Sequence, residues 1–158
     1  MKHMHHGQVK GVDASRRHQL DGARLRYGQR AWADAFQELF RADQETPLEA
    51  EDLELLAMSA YLIGQDDEYL KALERAHHAH LKAGQCARAV RCAFWLGFRS
   101  LMRGETGRAT GWLSLAERLL EREDRECAER GYLLLPVVEQ RFESGDFESA
   151  YGAAATRS

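Results

Sequence analysis

The sequence predicts an all-α chain, an α-solenoid in which about four helix hairpins stack side by side. Three observations predict it. Glycines suited to tight turns recur at a nearly constant interval: Gly64, Gly104 and Gly145 stand 40 and 41 residues apart (104 − 64 and 145 − 104). After each glycine, apolar residues follow in steps of three and four, the period of one helix face. The composition also favours helix, with 44% apolar residues, 30% charged residues and only two prolines in 158 residues.

The chain opens with the histidine-rich run MKHMHHGQVKG, which has no periodic apolar face. Residues 1–12 are therefore expected to be a tag-like or disordered start, and 13–158 the helical-repeat domain. The first hairpin is expected over 13–28 and 31–44. Leu20, Ala23 and Tyr27 mark its first helix, and Trp32, Ala35, Leu39 and Ala42 its second. Its turn glycine is Gly28, two residues earlier than the other hairpins would place it.

The second hairpin is expected over 48–63 and 66–83, with stripes Leu53, Leu56, Ala57, Ala60 and Tyr69, Leu73, Ala76 on either side of Gly64. The third is expected over 85–103 and 106–122, with Ala93, Leu96, Gly97, Ser100 and Ala109, Leu113, Ala116 flanking Gly104. The fourth is expected over 126–143 and 147–156, with Leu134, Val137, Val138 before Gly145 and Phe147, Ala150, Ala154 after it. Small residues on these stripes let paired helices approach closely, and Tyr69 is the one position that needs extra room. Glycine suits each turn because a helix commonly ends on a left-handed residue, which glycine adopts without steric penalty. Pro136 interrupts the fourth hairpin: it removes the hydrogen bond to the Tyr132 carbonyl, so that helix either starts near Leu134 or kinks.

Charge and cysteine content bound the function. The formal net charge is −3, which builds in no attraction to nucleic acid or an anionic membrane. Cys86, Cys92 and Cys127 are odd in number and lack CxxC spacing, so they read as reduced thiols of a cytoplasmic protein. No apolar run approaches the roughly 20 residues of a membrane span, and no signal-peptide core is present. His77 and His80 share a helix face near Cys86, but a metal site needs three or four convergent ligands, so no metal is expected. The histidines read instead as a solvated helix end, complementing the dipole. Asp66/Asp67 and Glu123/Asp124 read as solubilising caps, and RGETGRATG lacks the GKS/T element of a phosphate loop. Cys92 and Cys127 could meet across neighbouring helices, yet buried cysteine is more often a small hydrophobe. No nucleophile, base and acid can be assembled, so no catalytic residue and no cofactor is expected.

This pattern resembles the tetratricopeptide repeat over about residues 18–156. Ala35, Leu39, Ala42 and Pro47 match its consensus spacing, as do Leu96, Gly97, Gly104, Ala109, Leu113 and Ala116. The resemblance implies hairpins wound into a right-handed superhelix. More narrowly, GETGRATGWLSLAERLLE (104–121) and RAHHAHLKAGQCARAVRCAFWLG (75–97) are similar to the repeat region of bacterial LuxR-type transcriptional regulators. No helix-turn-helix is visible, and the chain stops inside what reads as the second helix of the fourth hairpin, an abrupt end that suggests a truncated chain or gene product.

Helix 85–103 carries a surplus apolar stripe, Val90, Phe94, Phe98 and Leu101, beside its packing stripe. In tetratricopeptide arrays that side of each first helix lines a concave groove. Carried onto this chain, the resemblance implies a groove of Glu54, Met58, Tyr61 and Leu62; of Arg91, Phe94, Phe98, Leu101 and Met102; and of Tyr132, Leu135, Glu139 and Phe142. Arg91 could hold a partner carboxylate in a two-pronged bond. Pro136 puts the placement of Tyr132 and Leu135 in question. Phe94 and Phe98 have two readings, groove lining or plain interior. The expected function is an interaction or sensor module of a signalling regulator. It would bind a partner peptide or another segment of its parent chain, and not nucleic acid or membrane. Self-association through an uncapped end and a small-molecule effector pocket are the alternatives.

Overall fold

A computed structural model of the chain describes residues 5–122, with side chains from residue 10 onward. All of its regular elements among these residues are helices: α1 (His5–Gly28), α2 (Trp32–Glu45), α3 (Ala50–Leu62), α4 (Asp66–Lys82), α5 (Cys86–Met102) and α6 (Thr106–Arg122). Apart from the start of α1, every bound lies within two residues of the sequence expectation. The α1 helix begins at His5 rather than 13. No proline interrupts the leading segment, and extending an existing helix is far easier than nucleating one. The fourth hairpin, with Cys127 and Pro136, lies outside the described residues.

The chain divides into two compact units, Met1–Ala76 and His77–Ser158. In the first, α1 packs on α2, and α2 on α3. The interior is drawn from the predicted stripes: Ala23, Ala35, Leu39, Ala42 and Ala60 are fully buried, with Leu53, Leu56 and Ala57 nearly so. The expected extra space for Tyr69 is met by ring packing, its centroid lying 5.3 Å from that of Tyr61. In the second unit, α5 packs on α6, and Ala89, Ala93, Leu96, Ala109 and Ala116 are all buried. Here Gly97 is required by a close approach. A Cβ on it would stand 2.8 Å from Leu113 Cγ and 3.3 Å from the Ala109 carbonyl oxygen.

One turn type joins most of these helices. At Gly64, Gly84 and Gly104 the backbone is left-handed, with φ of 80°, 73° and 76°. Each turn makes the same pair of hydrogen bonds. The left-handed residue donates to the carbonyl three back, as Gly64 N–H does to Tyr61 O at 3.1 Å. The next residue donates five back, as Gln65 N–H does to Ala60 O at 2.8 Å. These bonds satisfy carbonyls that the helix end would leave open. The first hairpin departs from expectation: Gly28 ends α1, and the left-handed residue is Arg30, with φ of 63°. Arg30 N–H donates to Tyr27 O at 3.0 Å and Ala31 N–H to Arg26 O at 2.9 Å. That spacing fixes where the chain must turn, and the residue there happens not to be glycine.

The α2–α3 link is different. Thr46 is extended (φ −152°, ψ 133°), as the residue before a proline prefers to be. Arg16 reaches over from α1 to the open carbonyls at this end, donating to Ala42 O at 3.1 Å and Thr46 O at 2.8 Å.

Candidate interaction surface

The residues expected in the groove fall into both units. Met58 and Tyr61 lie in the first, on α3; Arg91, Phe94, Phe98, Leu101 and Met102 lie in the second, on α5. Tyr132 and Phe142, with Leu135 and Glu139, lie outside the described residues.

On α3, the residues that face the interior are Ala50, Asp52, Leu53, Leu56, Ala57, Ser59 and Ala60. A surface helix normally balances such a stripe with a polar outer face. The N-terminal half of α3 does so with Glu51, which is exposed. The C-terminal half does not. Met58, Tyr61 and Leu62 follow at steps of three and one, share one face, and are 39%, 37% and 44% exposed. Leu55, one turn before Met58 on that face, is half-buried. The result is a short apolar strip with an unbranched, polarizable Met at its centre and a Tyr at its edge. Such side chains adapt to the shape of an apolar guest.

On α5 the aromatic residues are placed differently. Phe94 and Phe98 are buried, 7% and 9% exposed, and pack with Trp95 and Leu113. Their rings stack at a centroid distance of 6.3 Å, and Trp95 meets both edge-on, at 5.0 Å and 5.7 Å. That burial is what the interior reading of the pair requires. Arg91 and Leu101 are half-buried and Met102 is exposed.

Beside this strip, the described polar clusters are built into the framework. The Arg24 guanidinium donates to both oxygens of Asp52, Nε to Oδ1 at 2.9 Å and Nη2 to Oδ2 at 2.8 Å, tying α1 to α3. This pairing raises the Arg24 pKa above its ordinary value. Arg75 does the same for Asp43, joining α4 to α2 with contacts of 2.6 Å and 2.8 Å. The Arg75 hydrogen bonds hold the Asp43 carboxyl below the usual carboxylate range; burial opposes them, and the Leu48 N–H assists at 3.0 Å. Burial pushes the Tyr27 hydroxyl up, where its ring meets Trp32 edge-on at 5.1 Å. Sequence reasoning missed both two-pronged ion pairs, since their partners are 28 and 32 residues apart and no local pattern links them.

The histidines correct another expectation. His78 is exposed, but His77 and His80 are fully buried rather than a solvated helix end. His77 Nδ1 lies 2.7 Å from the Ala89 carbonyl oxygen, so that nitrogen carries a proton and donates. Its ring meets Trp112 edge-on at 5.3 Å. His80 Nδ1 lies 2.7 Å from Gln85 Oε1. The missed signal was register: 73, 77 and 80 continue the apolar stripe of α4 in steps of four and three. Cys92 is buried on the α5 packing stripe, and Asp66 and Asp67 open α4, where acids complement the helix dipole. Among the described residues no helix is long and apolar enough to cross a membrane.

Comparison with known proteins gives no match: no family model, curated protein or solved structure corresponds to this chain.

Proposed function

We propose that the chain is a protein-interaction module, of the tetratricopeptide-like kind found in bacterial LuxR-type regulators, working in the cytoplasm and not as an enzyme. Its guest is a helical or extended peptide, from a partner protein or from the parent chain. The observation that carries this reading is the Met58–Tyr61–Leu62 strip. It is apolar and open, whereas the described arginine–carboxylate clusters serve to join helices. Amphipathic helices are recognised by such strips, through anchors at helical spacing. The similarity of 75–97 and 104–121 to LuxR-type repeats supports a regulatory setting.

The test is a display library of amphipathic peptides screened against the full chain and against the Met58→Ser/Leu62→Ser double variant. Covering two large apolar side chains contributes about 1.5–3 kcal/mol each when complete, and these two start about two-fifths exposed. Peptides selected by the wild type should therefore lose about tenfold in affinity for the variant, near 1.4 kcal/mol, with an unchanged circular dichroism spectrum. Equal binding to both proteins, or no selected peptide at all, would overturn the proposal.

A further inference from the structure

We draw no further inference here: the strongest candidate, the exposed apolar face of α3 formed by Met58, Tyr61 and Leu62, belongs to the surface already described, and nothing in the structure shows what covers it.

Discussion

Arg30 sits where three sibling turns place glycine. Its two backbone hydrogen bonds match theirs, so the turn geometry is set by the closing of the helix end and not by the residue type. A left-handed conformation costs a residue with a Cβ roughly 1–2 kcal/mol. Arg30→Gly is therefore expected to stabilise the protein by about 1 kcal/mol, and Gly64→Ala to destabilise it by about the same amount. Urea denaturation of both variants checks this, and a destabilised Arg30→Gly would mean that the arginine side chain contributes more than its backbone strain removes. His77 is legible at the same scale only in hindsight. Residue type pointed to solvent, while helical register pointed inward, and register decided. Its Nδ1–H bond to the Ala89 carbonyl links α4 to α5 inside a fully buried site. Replacing it with leucine removes this bond while the Ala89 carbonyl keeps its donor within α5, which should destabilise the protein by about 0.5–1.5 kcal/mol. His77→Asn, whose amide can donate, should recover part of the loss, and a His77→Leu as stable as the wild type would show that the bond contributes nothing.

At the scale of elements, packing stripes were readable because they repeat. Ala35, Leu39 and Ala42 on α2, and Ala93, Leu96 and Gly97 on α5, are buried as their spacing requires. Gly97 shows why a small residue stands there: α6 approaches so closely that a methyl group would overlap Leu113. Leu113 is a flexible side chain, but the Ala109 carbonyl behind it is backbone and yields less. Gly97→Ala should cost about 1–3 kcal/mol in spite of alanine's higher helix propensity. Gly97→Ala/Leu113→Ala, which clears the overlap, should differ from the sum of the single changes, and strict additivity would show that no contact exists. Ion pairs between elements were not readable, since nothing local marks Asp43 as the partner of Arg75. Their effect shows in acid. The folded Asp43 has a pKa below its ordinary value of 3.8, so the pair's contribution is complete above that value. It is lost as pH falls through the lower folded value. A pH series of denaturation curves should show wild-type stability dropping below about pH 4 more steeply than that of Asp43→Asn. Parallel slopes would mean that the carboxyl is not held by Arg75.

For the molecule as a whole, exposure could be read from the sequence only in part. On α3 the positions Met58, Tyr61 and Leu62 follow from the tetratricopeptide resemblance, and all three are exposed. The exposure of the aromatic stripe of α5 could not be read, because a run of Phe at helical spacing looks the same whether it faces a guest or an interior, and here Phe94 and Phe98 are buried. What is left open on α3 is small. Three side chains, each about two-fifths exposed, offer roughly 180–300 Å² if a large apolar side chain presents about 150–250 Å² in full. A stable pair of copies buries about 800 Å² on each partner. The α3 strip alone therefore falls well short of holding two copies together, whereas a peptide that wraps beyond it can add contacts. Sedimentation velocity of the wild type and of Met58→Ser/Leu62→Ser, at about 10 μM where a weak small-patch contact stays dissociated, should give the same mass for both proteins. A wild-type dimer that the double substitution reduces to a monomer would reverse the assignment. The strip would then be a self-association surface, and its guest a second copy of the chain.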